Sequence, residues 1–141
     1  MFIVKTSLRS SSIQGLGCFA DEPIKKGQVV WEFDPRLDIR IPPSVVETFP
    51  PFMRDHFRIY SYVELLDNQE IMVYCADFSK HMNHSDKPNL YDTEDNLQEI
   101  AIRDIAPGEE LTCNYYKFDL HAAEKLSASS NRFTDGTSYS H

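Results

Sequence analysis

Asn83-His84-Ser85-Asp86-Lys87-Pro88-Asn89 is the stretch on which the reading of this chain turns. An asparagine amide carries donors and an acceptor together, so Asn83 can hold an amino-acid-like group while tying two loops to each other. Further along stands Gly108-Glu109-Glu110-Leu111-Thr112-Cys113-Asn114-Tyr115, and far upstream Gly15-Leu16-Gly17-Cys18-Phe19-Ala20. Glycine lets a backbone come close to a ligand and adopt positive φ, so Gly15 and Gly17 around one apolar residue suit a ligand-lining loop. Taken alone they read as an ordinary turn. They are not a dinucleotide fingerprint, because no glycine follows at the required spacing and no helix begins there.

In this order and spacing the three blocks resemble the signatures of SET-domain protein-lysine N-methyltransferases, from about Ile13 to about Asp119. The resemblance implies a β-rich α+β fold of small curled sheets with a C-terminal pseudoknot, where the segment bearing the last block passes beneath a loop made by the preceding one. Sequence pattern cannot show that topology, since threaded connections are rare. The family's cysteine-rich zinc segments have no counterpart here, so the resemblance is to a minimal SET domain over residues 1–126, followed by a tail, 127–141, expected to be disordered.

Carried over motif by motif, the resemblance implies that Gly15, Leu16, Gly17, Asn83 and His84 hold S-adenosylmethionine, with His84 meeting the adenine mainly through its backbone. In members without the zinc-bearing flank an aromatic from the C-terminal segment packs on the adenine, and Phe118 is placed for that. The catalytic tyrosine of the family falls on Tyr115, with Tyr116 its adjacent competitor; read as a strand, the segment lets only one of them face the site. Asp86 stands where the family often has Cys.

A tyrosine there has a clear use. Neutralising an exposed lysine at pH 7 costs about 4.6 kcal/mol from a pKa near 10.4. A narrow apolar channel and a nearby sulfonium both lower that pKa. The Tyr115 hydroxyl can then orient the amine lone pair for in-line displacement; proton removal by solvent is as good an account as removal by the phenol. Trp31, Phe33, Tyr60, Tyr74, Tyr91 and Phe118 are candidate channel walls.

Composition agrees with a soluble single domain. The chain has 141 residues, a formal charge of −8 and no apolar run approaching the roughly 20 residues of a membrane helix. Its fourteen Lys and Arg are scattered, which argues against direct nucleic-acid binding, whereas its acidity suits a lysine-rich protein partner. No secretory signal is read at the N-terminus, so a cytoplasmic location is expected. Oligomeric state stays open, although a domain without flanking modules can complete its site by pairing as a homodimer. Cys18, Cys75 and Cys113 have no paired spacing and predict neither disulfides nor a zinc cluster.

Periodicity predicts strands over 2–6, 28–33, 60–66, 70–75, 90–93, 97–102 and 110–114, with a polar loop over 7–12. Helices are expected after Pro42-Pro43, over 52–60, for one turn at 78–82, and after Asp119 through Leu126. Ile102, Ile105 and Leu111 are expected in the core, with Pro107-Gly108 as a turn.

Two other functions compete. One is a non-catalytic SET-like module that binds a protein. The other is a metal-dependent hydrolase using His81, His84 and Asp77, though no third ligand has a characteristic spacing. Asp92, Glu94 and Asp95 resemble part of a calcium loop without its glycine and terminal Glu, and read better as a solvated turn.

Overall fold

A computed structural model describes residues 1–132, and the side chains of residues 1–127. Its strands are short because turn residues interrupt them every few positions. They are β1 (Thr6–Ser10), β2 (Leu16–Ala20), β3 (Val29–Glu32), β4 (Asp38–Ile41), β5 (Ser61–Leu66), β6 (Gln69–Cys75), β7 (Asn83–His84), β8 (Leu90–Asp92), β9 (Gln98–Ala101) and β10 (Glu110–Cys113). Three small sheets result, in the orders β1-β2-β10-β7, β3-β9-β8 and β4-β6-β5.

The hairpin β5–β6 shows how local chemistry sets register. Its loop is two residues, Asp67 and Asn68, with φ of 51° and 62°. That left-handed pair matches strand twist and suits Asp and Asn. Gln69 is therefore already a strand residue paired with Leu66, one position earlier than its polarity indicates.

Pro43 and Pro51 open the helices α1 (Pro43–Val46) and α2 (Pro51–Tyr60), where a missing N–H costs nothing. One face of this pair closes over Val46, Val63 and Met72, with Ile41, Phe49 and Phe57 packed around them. A larger core gathers Cys18, Ile24, Val30, Met82, Leu90, Ile105, Leu111 and Cys113, and Tyr115 and Phe118 border it. All three cysteines are free and buried.

The structure corrects four expectations. The polar segment Thr6–Ser10, expected as loop from Ser7 on, is strand β1, because it pairs residue for residue with β2 from Thr6↔Ala20 to Ser10↔Leu16. Backbone pairing at a sheet edge decides that segment, and its side chains stay mostly exposed. Phe2, expected in a strand, makes only a bridge to Trp31. Ile102 is exposed, whereas Ile105 and Leu111 are buried as expected. The last helix, α3, spans Ala122–Arg132 and so runs six residues past Leu126, into the stretch expected to be disordered; residues 133–141 lie outside those described. No helix among the described residues is long and apolar enough to cross a membrane.

Candidate active site

Strand β10 is the spine of the site. It runs antiparallel to β2 and parallel to β7, with Thr112 opposite Asn83 and Cys113 opposite His84. The three motif blocks, distant in sequence, thereby share one sheet. Beyond β10 the chain makes a 3-10 turn, Tyr115–Lys117, and crosses to β5, where Val63 N–H donates to the buried Asp119 carboxylate at 3.1 Å.

Asn83 holds the glycine loop. Its Nδ2 donates to the carbonyls of Gln14 and Leu16, both at 3.1 Å, and to Glu110 Oε1 at 2.9 Å. The Glu110 carboxylate also accepts from the Ser11 hydroxyl at 2.8 Å and lies against Gly17. A Cβ on Gly17 would collide with that carboxylate, so the glycine is required by protein packing as well as by any ligand. Gly15 is the left-handed corner of the loop, with φ +48° and open space where a side chain would point. Leu16 is half-exposed at the same face. An open, carbonyl-anchored loop of this kind fits the methionine portion of S-adenosylmethionine.

His84 does more than the sequence indicated. Its Nδ1 accepts from Tyr115 N–H at 3.1 Å, which leaves Nε2 to donate to Asp86 at 3.0 Å. Its ring also packs on Tyr115, with centroids 5.4 Å apart. The other end of Tyr115 is anchored too, since its hydroxyl donates to the Met82 carbonyl. Burial, first, and then neighbouring acidic groups push the Tyr115 phenol well above its ordinary value. Tyr116 is 58% exposed. A 3-10 turn, rather than strand alternation, separates the two tyrosines.

In front of Tyr115 lies a cleft lined by Trp31, Tyr60, Tyr62, Met82, Glu99, Phe118 and Lys125 among others. Phe118 stands edge-on to Tyr62 at 5.3 Å and to Tyr115 at 5.9 Å. Trp31, Tyr60 and Phe118 were expected as walls. Phe33 instead lies under Arg40, Tyr74 packs on Phe57, and Tyr91 is exposed. Sequence reasoning missed Tyr62, Glu99, Glu110 and Lys125. Lys125 reaches from α3 to donate to Ser61 O and Asp119 Oδ2, both at 2.6 Å, with its ammonium 5.5 Å from the Tyr115 ring. Only the second glutamate of Gly108-Glu109-Glu110 carried a usable signal, by its place in the motif.

The residues of the rival metal site are turned elsewhere. His81 packs on Tyr60, His84 serves Tyr115, and Asp77 accepts from Phe2 and Ser79. Among the described residues no cluster of three or more His, Cys, Asp or Glu is placed to hold a metal ion.

This arrangement defines a class. A match to the SET domain model spans residues 15–116, and the chain belongs to the SET-domain family. That family is one of protein-lysine methyltransferases that use S-adenosylmethionine. Among solved structures the chain is similar to Polycomb Repressive Complex 2 of Chaetomium thermophilum. A humanized mutant of that complex bound to the inhibitor GSK126 aligns with 26% identity and a TM-score of 0.62 over 86% of this chain and 16% of the other. An autoinhibited form bound to S-adenosylmethionine aligns with 27% identity and a TM-score of 0.62 over 92% and 17%. A Plasmodium falciparum protein assigned as a histone methyltransferase shares the fold, at 23% identity and a TM-score of 0.55 over 79% of this chain and 96% of the other. The chain thus spans about one sixth of the Chaetomium chain. No curated protein matches significantly.

Proposed function

We propose that this chain binds S-adenosylmethionine and methylates a lysine side chain of a basic protein. The observation that carries this reading is the double anchoring of Tyr115, by the His84 ring at its N–H and by the Met82 carbonyl at its hydroxyl, beside the loop that Asn83 holds. When bound, S-adenosylmethionine supplies an electrophilic methyl group on a sulfonium. Gly15, Leu16 and Gly17 would face it, with Asn83 and His84 fixing the loop and the neighbouring strand.

Tyr115 works by position. Its raised pKa keeps the phenol protonated, so it is not the base. The hydroxyl proton goes to Met82, and the oxygen lone pairs are left to accept an N–H of an incoming amine, turning the amine's own lone pair towards the loop. The aromatic walls exclude water and favour the neutral amine. Phe118, expected beside the adenine, is engaged by Tyr62 and Tyr115, which makes it also a wall of the cleft. The net charge of −8 draws in basic proteins.

The test is incubation with radiolabelled S-adenosylmethionine and a panel of lysine-rich proteins, followed by mass spectrometry of labelled bands. Label on lysine is the expected result. Tight binding of S-adenosylhomocysteine with no transfer to any protein would instead identify a non-catalytic module.

A further inference from the structure

Two buried donors beside one small cavity, Trp31 Nε1 and Tyr62 OH, have no hydrogen-bond partner among the described residues, and the Asp92 and Glu99 carboxyls that also line it bond to each other. Sheet register brings Trp31, Asp92 and Glu99 together. Trp31 and Asp92 each stand opposite Glu99, on β3 and β8, so the glutamate sits between indole and aspartate in one row. Tyr62 and Phe118 close the space from the other side. Trp31 and Glu99 are each only 5% exposed. The cavity adjoins the main cleft, since Trp31, Tyr62, Glu99 and Phe118 line both, and the cleft reaches Tyr115.

Two carboxyl groups this close in a low-dielectric interior cannot both ionise. They retain one proton between them and carry one negative charge. Burial, followed by the Asp92 carboxylate, raises Glu99 well above the usual carboxylate range. Among the described residues no cation forms an ion pair with either acid. Lys125 is held by Asp119 and Ser61 O, and the Lys80 ammonium by Asp77 O. A buried charge without a partner is costly, and a cation supplied from outside would remove the cost. Aromatic faces at Trp31, Tyr62 and Phe118 favour such a cation further.

We propose that Asp92, Glu99, Trp31 and Tyr62 form a subsite that binds the ammonium head of the target lysine and takes up its proton. The carrier of that amine rests on the methyltransferase reading; the affinity for an alkylammonium does not. In the proton step one N–H bond breaks, its electron pair stays on nitrogen, and an O–H bond forms on the ionised carboxylate, leaving both acids neutral. The other titratable groups facing Glu99 are poor acceptors. Tyr115, Tyr62, Cys18 and Cys113 are all kept protonated by burial. The Met1 ammonium, which also acts on Glu99, is paired with Asp38 at 2.9 Å.

Trp31 is the sole tryptophan of the chain, so its indole signal reports on this cavity alone. The experiment titrates n-butylammonium chloride into the S-adenosylhomocysteine-loaded protein and follows the indole N–H resonance, with n-butanol as the uncharged control. A saturable shift with the amine and none with the alcohol is expected. The double variant Asp92→Asn/Glu99→Gln, first shown to melt cooperatively, removes the charge of the pair and should weaken it about tenfold or more. Absence of a saturable shift, or one that the double variant leaves unchanged, overturns the subsite. In the transfer assay the double variant should lower kcat at pH 7 and recover towards pH 10, where solvent takes the lysine proton. A pH profile parallel to that of the wild type overturns proton uptake. Butylammonium binding without methyl transfer to any protein would defeat the methyltransferase reading and leave the ammonium site standing.

Discussion

The corner built around Asn83 and the cleft in front of Tyr115 lie on either side of the same strand end, yet they treat their polar atoms in opposite ways. Around Asn83, amide, carboxylate and loop carbonyls are joined, and Glu110 accepts from both Ser11 and Asn83. Across Tyr115, among the described residues, an indole N–H and a phenol have no partner, and the Asp92–Glu99 pair has no cation paired with it. The first corner is held in shape without a ligand. The second is shaped but electrostatically incomplete, and a ligand that brings charge with it would finish it. One site can thus prepare its cofactor loop in advance and still gain binding energy when its substrate enters.

Substitutions can break that contrast. The largest effect is expected from Asn83→Ala, which removes an amide whose two N–H groups are shared among three acceptors and leaves the partly buried Glu110 carboxylate short of a partner. Stability should fall by about 3 kcal/mol, and S-adenosylhomocysteine affinity should fall with it in calorimetry. An affinity that survives would show that the loop does not depend on its tether. Tyr115→Phe comes next. The fold and S-adenosylhomocysteine binding should be kept, because the lost hydroxyl touches only the Met82 carbonyl, while turnover drops about tenfold or more. Unchanged turnover would remove the phenol from catalysis.

Gly17→Ala should cost about 1–3 kcal/mol by forcing Glu110 aside. The cost should shrink in a Glu110→Ala background, and a double-mutant cycle in urea reads that coupling. The smallest effect sharpens the comparison from the cleft side. Glu99 keeps its proton in the folded protein to higher pH than in the unfolded chain, where it titrates near 4. Its contribution to stability is therefore full below about pH 4 and is lost as pH rises through the raised native value. Glu99→Gln should flatten that decline, so the gap in melting temperature between pH 5 and pH 8 narrows. A gap equal to that of the wild type would show that the acid is not buried as described.

The two regions also differ in how far sequence could reveal them. Asn83, His84, Gly17 and Tyr115 stand out because hydrogen-bond tethers and close packing demand particular residue types at fixed offsets along the chain. The side-chain work of His84, holding Tyr115 in place, did not show, since it depends on β7 and β10 lying in parallel. Glu99 was invisible for a stronger reason. In Gln98-Glu99-Ile100 it reads as an ordinary solvent-facing strand carboxylate, and only pairing with Trp31 on one side and Asp92 on the other places it inside. Hairpins, proline-led helices and turn glycines were legible because their causes are local. Strand β1 was not, because its polar, mostly exposed side chains give no alternation and only backbone pairing with β2 makes it a strand.

Cys18, Cys75 and Cys113 give the molecule a built-in clock. All three thiols are enclosed, and burial holds Cys18 up to about 12 and the other two well above their ordinary value. Alkylating reagents attack the thiolate, so the native fold should stay silent to them at neutral pH. Each label then records one opening of the β2, β6 or β10 neighbourhood, and the order in which the three sulfurs react would trace how the domain comes apart.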